Sequence, residues 1–269
     1  MRIYNRNFVP LNVPNLPITI FGSGSSGNSV KIDPIRFLID LGLPYSRYPK
    51  QTFNQLDYLA LTHEHMDHIN PATLERVLSI YPNVKVLITE RLYNVILKKR
   101  PSLEDYHVQF FEPNQPFECM SRDNIQFTVH PHTISHGDIL NIAYDIRIPS
   151  MHTRLLYASD LDTEDGDPSR NISGLPQTAD TRFNLMLLEA NYSYEKVLET
   201  IQSNQQKIDA KAYKNEEEFK TMLNQIHRAT ENFRHFSEES AARYAQRYLT
   251  PNGIFIPLHA SSTFGTYIQ

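Results

Sequence analysis

The stretch Tyr58-Leu59-Ala60-Leu61-Thr62-His63-Glu64-His65-Met66-Asp67-His68 decides how the rest of the chain is read. Residues 58–61 form a short apolar run of the kind that fills a buried strand. Three histidines and one aspartate then fall between positions 63 and 68, just ahead of a helical pattern. Residues two apart on an extended backbone share a side, so His63 and His65 can face one metal ion. Asp67 and His68 sit where the chain turns and can face a second. Histidine and carboxylate are the ligands zinc takes when cysteine is absent. Isolated histidines are usually surface groups or satisfied core groups, but a cluster this dense has no ready structural explanation.

Composition bounds the alternatives. The chain has 269 residues, 40% hydrophobic and 21% charged, which is ordinary for one large globular domain. Its formal net charge is −4, so nucleic acid would have to be met by a local basic patch and not by the whole surface. Cys119 is the single cysteine. That excludes an intramolecular disulfide and a cysteine-rich zinc site, and it fits a reducing compartment. The first residues have no apolar core of a signal peptide, and no apolar run approaches the roughly 20 residues of a membrane span. The expectation is a soluble, cytoplasmic protein with no membrane partner.

Working outward from residues 58–68, apolar runs at 18–21, 29–32, 36–39, 84–88, 125–129, 142–148, 155–158, 185–188 and 254–258 read as strands. Residues 71–80 read as a helix, with proline in the first turn and Leu74, Val77 and Leu78 on one face. Residues 91–99 read as a second helix. Residues 162–182 lack apolar periodicity and read as a long loop, either a lid over the site or a surface excursion. Residues 193–248 contain no glycine or proline and are rich in Glu, Lys, Gln and Ala. They read as two or three helices with a charged outer face: a solvated layer, a cap that selects substrate, or the surface of a homodimer. Strands interspersed with helices point to an α/β architecture of layers stacked around sheets. The glycine-rich Phe21-Gly22-Ser23-Gly24-Ser25-Ser26-Gly27-Asn28-Ser29 lacks the Gly-Lys-Ser/Thr of a P-loop. It reads as a tight turn between strands or as a backbone shelf under the metal site.

The His-x-His-x-Asp-His segment resembles the signature of the metallo-β-lactamase superfamily, and further elements of that pattern follow in chain order. They are Asp40 closing Phe37-Leu38-Ile39, His136 in Ser135-His136-Gly137-Asp138, Asp160 after Leu155-Leu156-Tyr157-Ala158-Ser159, and His259 closing Ile254-Phe255-Ile256-Pro257-Leu258. Within the superfamily, residues 21–29, 39–42, 135–144, 187–192 and 234–241 look like the WalJ/YycJ branch, which is similar to tRNase Z-like phosphodiesterases. The resemblance covers roughly residues 18–265. It implies a four-layer αβ/βα sandwich, one domain over 1–269, with an added helical segment at about 193–234.

Carried over by position, the resemblance implies that His63, His65 and His136 hold one metal and that Asp67, His68 and His259 hold the other. Asp160 would bridge the two, and Asp40 would support a ligand from behind. His235 would contact substrate phosphate and protonate the leaving oxygen, with Asp67 beside it in the catalytic set. His132, four residues before His136, competes as a ligand, and His136 fits the family spacing better. His107, His130, His152 and His227 have no partners by spacing. The chain departs from the branch at Ala190-Asn191-Tyr192, where Ser-Asn-His is usual, in a longer helical stretch before His235, and in Leu258-His259-Ala260 at the end.

The expected function is therefore a hydrolase with two divalent metal ions, zinc first and manganese second, that cleaves phosphodiester bonds with a metal-activated water. The substrate would be nucleic acid, as in a DNA exonuclease, with Lys98-Lys99-Arg100 and the lysines of 196–220 as candidate contacts. A phosphodiesterase for cyclic or short nucleotides is the alternative, and a metal-bound but non-catalytic binding protein is a third reading.

Overall fold

The computed structural model describes residues 2–3, 11–13, 16–162, 174–177, 182–261 and 263–265. Most of the loop read at 162–182 lies outside the described residues. Two seven-stranded sheets organise the chain. The first contains β2 (Leu11–Val13), β3 (Leu16–Gly22), β4 (Ser29–Ile32), β5 (Phe37–Ile39), β6 (Tyr58–Ala60), β7 (Lys85–Ile88) and β8 (Gln109–Phe110) in that order. Its β2–β5 portion is antiparallel and its β5–β8 portion is parallel. The second sheet has the order β1 (Arg2–Ile3), β14 (Leu249–Leu258), β13 (Phe183–Glu189), β12 (Thr153–Ala158), β11 (Asn141–Ile148), β10 (Gln126–Ile134), β9 (Phe117–Met120).

The sheets face each other across one apolar layer. Phe37, Ile39, Tyr58 and Leu87 from the first sheet meet Phe127, Val129, Tyr144, Leu155, Leu187 and Ile256 from the second. Helices cover both outer faces. On the first sheet, α1 (Pro71–Ile80) and α2 (Glu90–Lys99) bury Leu74, Val77, Leu78, Leu92 and Ile96 against Leu38, Leu59, Val86 and Ile88. On the second, α5 (Glu238–Tyr248) packs Ala241, Tyr244, Ala245 and Tyr248 on Leu156, Met186 and Phe255. The result is the αβ/βα four-layer sandwich. The remaining helices, α3 (Tyr194–Asp209) and α4 (Glu216–Glu231), form a hairpin that shares a small cluster of its own with Tyr192 and Phe264. Among the described residues no helix is long and apolar enough to cross a membrane.

Local sequence explains the boundaries. Asn70 caps α1 by accepting from the Thr73 amide at 3.0 Å, and Pro71 follows it where a missing N–H costs nothing. Side chains of Thr89, Ser193, Asn215 and Ser237 cap the other four helices in the same way. Two strands run further than the apolar pattern indicates. β10 continues past Val129 through Pro131 because β9 pairs only as far as Val129, so no acceptor waits for the donor that proline lacks. β14 starts at Leu249 because residues 250–253 bulge out between the pairs Phe183↔Leu249 and Leu185↔Ile254. The short strands β8 and β9 carry exposed side chains and have no apolar run to announce them.

On the outer face of the second sheet Asp145 is fully buried, with its carboxylate gripped by Arg154 (Nε to Oδ1 2.9 Å, Nη2 to Oδ2 2.5 Å). Burial pushes the Asp145 carboxyl up, but the adjacent His132 imidazole and the Arg154 guanidinium outweigh it and leave the group below the ordinary carboxylate range. A depressed folded-state pKa adds stability that is present above the unfolded value of about 3.9 and is lost as pH falls through the folded value. Asp145→Asn, which replaces the buried carboxylate partner of the part-buried Arg154 guanidinium with a neutral amide, is expected to cost about 2 kcal/mol at neutral pH. Chemical denaturation of both proteins from pH 7 to pH 3 should show that difference shrinking below about pH 4.

Candidate metal centre

The sequence-selected histidines and aspartates converge at one edge of the sandwich, where strand ends from both sheets meet. Asp40 directly follows β5, His63 lies three residues past β6, Asp160 lies two past β12, and His259 directly follows β14. Three of these residues leave their strands in the left-handed region: Asp40 at φ 62°, Asp160 at φ 54° and His259 at φ 52°. That conformation costs an L-residue roughly 1–2 kcal/mol and turns the side chain out of the strand's path toward the shared edge.

His63 Nε2 lies 3.1 Å from His65 Nδ1, which in turn lies 3.2 Å from His136 Nε2. Asp160 Oδ2 stands 3.2 Å from His63 Nε2 and closes the group. Protons can be assigned from the partners behind each ring. Thr62 Oγ1 donates to Asp40, so at 3.0 Å it accepts from His63 Nδ1 and leaves Nε2 a lone pair. His136 Nδ1 donates to Asp162 Oδ1 at 3.3 Å, so its Nε2 is likewise a lone pair. Three ring nitrogens with at most one proton among them thus face a carboxylate oxygen. Donors about 2.0–2.1 Å from one tetrahedral ion stand roughly 3.3 Å apart, the spacing seen here, so the donor set fits a divalent cation.

A second group adjoins the first through Asp160. His68 Nε2 is 2.7 Å from Asp160 Oδ2 and 3.9 Å from Asp67 Oδ2. His68 Nδ1 donates to Asp40 at 2.7 Å, so a cation or a proton must lie between its Nε2 and Asp160. Asp40 also accepts from the Thr62 amide (2.9 Å) and from the Tyr157 hydroxyl (3.0 Å), and it is wholly buried. His259 enters differently from the other histidines. Its Nε2 is 3.8 Å from Asp67 Oδ2, while its Nδ1 points to Asp160 Oδ1 at 2.6 Å and to Glu189 Oε1 at 3.3 Å. Asp160 Oδ1 forms no well-directed hydrogen bond despite that short approach, leaving a buried oxygen with lone pairs available.

Electrostatics sort the imidazoles. Burial, reinforced by the charge of His68, lowers the His63 pKa to about 4 and keeps the ring neutral, the form that binds metal. Burial and His136 also lower His65. For His68 burial opposes the charge, but Asp40 and Asp160 outweigh it and hold the pKa well above the ordinary value. Asp160 is held well below the carboxylate range, since His68 and His259 overcome its desolvation.

Four neighbours complete the site. Glu189, fully buried, accepts from His235 Nδ1 at 2.8 Å and also accepts the Leu161 amide. Asp162 orients His136 and accepts the Gly137 amide. Asn28 places its amide 2.8 Å from His68 Nε2, and its backbone N–H donates to the Asp67 carbonyl at 2.6 Å. Ser23 Oγ accepts from the His259 amide at 2.8 Å, so the glycine-rich 21–29 segment lies against the Asp67–His68–His259 side of the cluster. Glu189 and Asp162 had no spacing signal, because their partners are 46 and 26 residues away in sequence. His132 sits beside Asp145 and not with His63, and its ring stacks 4.0 Å from that of His130. These two and Asp145 form a donor group apart from the three that share Asp160, and its carboxylate is committed to Arg154. Cations border the cluster: Lys99 Nζ donates to the Glu64 carbonyl and Arg91 to the Asp138 carbonyl, whereas Arg100 is engaged by Glu75.

No protein-family model and no curated protein matches the chain. Among solved structures it is similar to a diphosphatase of the PhnP family, at 16% identity over 65% of this chain and 73% of that one, with a TM-score of 0.42. It is similar also to a provisionally named metal-dependent hydrolase from Parabacteroides distasonis, at 13% identity over 71% and 76% of the two chains, TM-score 0.40. A metallo-β-lactamase from Hirschia baltica shares 13% identity over 61% and 74%, TM-score 0.38.

Gly42 tests the packing beneath the centre. A Cβ placed there would stand 1.8 Å from the Asp67 carbonyl oxygen, a backbone atom with no room to yield. Gly42→Ala should lower the melting temperature by roughly 4–8 °C, the equivalent of about 2 kcal/mol at this chain length. Metal content measured on the purified variant should fall below that of the wild type.

Proposed function

We propose that the chain is a metal-dependent hydrolase that cleaves phosphodiester bonds, with nucleic acid as its substrate. The observation that carries this reading is the convergence of three donor groups on Asp160: His63, His65 and His136; Asp67 and His68; and Glu189, His235 and His259, the last with its Nε2 3.8 Å from Asp67 Oδ2. His63, His65, His136 and Asp160 would hold one divalent ion; Asp160, Asp67, His68 and His259 would hold the second. Zinc suits the imidazole-rich set best, and manganese is the alternative. Bound there, the ions would supply hydroxide at neutral pH and take up charge that develops at an attacked phosphorus.

The protein's own groups account for orientation and proton transfer. Asp40, Thr62 and Asp162 fix the ring tautomers so that lone pairs face the centre. Glu189 holds the Nδ1 proton of His235, which leaves Nε2 as the atom that can serve substrate. Glu189 and Asp160 raise the His235 pKa against the opposing effect of burial, so the ring carries the proton an alkoxide leaving group needs. His235 is also the most solvent-accessible histidine of its cluster, its side chain 30% exposed, as a group meeting substrate must be. A leaving group that demands a positioned acid favours a phosphodiester of a sugar hydroxyl over a lactam.

Purified protein with zinc or manganese should hydrolyse at least one of linear DNA, RNA, a cyclic mononucleotide and bis-p-nitrophenyl phosphate, and chelation should abolish the activity. Silence on all four overturns the reading, and activity on the cyclic mononucleotide alone would replace nucleic acid with a small substrate.

His235→Ala should lower kcat on an oligonucleotide about 10²–10³-fold. The loss on bis-p-nitrophenyl phosphate should be much smaller, because p-nitrophenolate departs without help from an acid. Equal losses on both substrates would remove His235 from the role of proton donor. Glu189→Gln should reproduce the same substrate-dependent pattern at about a tenth of the size.

A further inference from the structure

The α3–α4 hairpin carries a feature that packing does not explain. Lys196, Glu199, Thr200, Ser203, Asn204 and Lys207 recur along α3 at intervals of three and four, the spacing of a single helix face. α3 packs through a separate apolar row of Tyr194, Val197 and Ile201, not through this one. The first row is polar throughout and lines a groove of about 1010 Å³, with Arg228 and Gln225 of α4 on the facing wall. Polar groups lining a concave surface gain by meeting a polar ligand.

The groove adjoins the segments that carry His259 and His235. Ser261 forms part of its floor two residues after His259, and Asn232 forms part of its rim three residues before His235. Chain length alone limits these separations to roughly 7 Å and 11 Å. Asn191 ties the two sides together: its side chain donates to the His259 carbonyl at 2.7 Å and its backbone carbonyl accepts from the Ser261 amide at 2.6 Å.

The charges point to an anion. Lys207 and Arg228 are exposed on opposite walls, and Lys196 projects between them with one bond to the Gly265 carbonyl at 3.1 Å. Of the two carboxylates in the lining, Glu231 is drawn off by Arg234 at 3.3 Å, which leaves Glu199 against three cations in a protein of net charge −4. Among the described lining residues Phe264 is buried and His227 is the one exposed ring, so the groove offers no run of aromatic platforms for successive bases. A ligand recognised here is read through its backbone phosphates, without regard to sequence.

We infer that the α3–α4 groove binds the phosphate backbone of a single-stranded polynucleotide beyond the bond that is cut, so that the substrate is a polymer and not a cyclic mononucleotide. This rests on the phosphodiester reading of the metal centre, and the test separates the two. Binding of a fluorescein-labelled single-stranded DNA 20-mer, and of the same RNA, is measured by anisotropy on zinc-loaded His235→Ala protein so that the probe survives. Adding Lys207→Glu and Arg228→Glu should raise Kd at least ten-fold and flatten the slope of log K against log salt by about 1.4, the share of two phosphate contacts on a single strand. The neutral pair Lys207→Gln and Arg228→Gln should give an intermediate loss. The control pair Lys214→Glu and Lys220→Glu makes the same change in net charge outside the groove and should shift Kd less than three-fold. Unchanged binding in the groove variants, equal weakening in the control, or no binding by the parent protein would each overturn the inference. Hydrolysis of bis-p-nitrophenyl phosphate by the wild type is read separately. If it is present while the groove variants bind normally, the groove falls alone; if it is absent while they lose binding, the metal-centre reading falls and the groove stands.

Discussion

Everything at the candidate centre depends on one buried carboxylate. Asp40 directly follows β5 of the first sheet, yet one of its oxygens accepts the hydroxyl of Tyr157 from β12 of the second, while Thr62 and His68 fill its remaining positions. Placing an unpaired charge with no exposure to water would cost several kcal/mol. Four donors offset that cost and in doing so couple the two sheets directly beneath the candidate ligands. The same bonds determine which nitrogen of His68 is free and, through Thr62, which nitrogen of His63 is free. Asp40 therefore acts on structure and chemistry together: it sets where the layers meet and how the imidazoles present themselves.

The rest of the centre extends that logic outward. Asp162 does for His136 what Asp40 does for His68, and Glu189 does it for His235 with His259 close by. His68, His136 and His235 are each steered from behind by a carboxylate, so the nitrogen each presents is set before any ligand arrives. The α3–α4 hairpin stands apart from this rigid arrangement. Its apolar cluster among the described residues is small, built around Tyr192, Val197, Ala229 and Phe264, and the face that lines the groove is polar. Such an element contributes little to the central core and much to the shape of the approach to the site.

Legibility of the sequence follows the range of the interactions. Helices with a side-chain cap and an apolar face, such as 71–80, can be read almost to the residue because both signals are local. Strands buried on both faces announce themselves as apolar runs, as at 142–148 and 155–158. The ends of β10 and β14 cannot be read in this way, because they depend on which neighbour stops first and on a bulge that only pairing reveals. At the site, His63, His65, Asp67 and His68 stand out because four donors share one short stretch. Glu189 and Asp162 look like ordinary acidic residues until the fold brings them behind His235 and His136. Resemblance assigned His259 to the Asp67–His68 group, whereas in the structure its nearest partners are Asp160 and Glu189.

The kinks at Asp40, Asp160 and His259 carry a consequence for how the molecule tolerates change. These side chains are presented by the points where strands stop and the backbone reverses its twist sense, not by the alternating faces of the sheets. The interior between the sheets can then be refilled with other aliphatic and aromatic groups of similar bulk without redirecting those three side chains. What cannot be exchanged freely is the trajectory of a few residues at each rim, where a β-branched replacement would resist the bend and a glycine would accept it but bring no ligand.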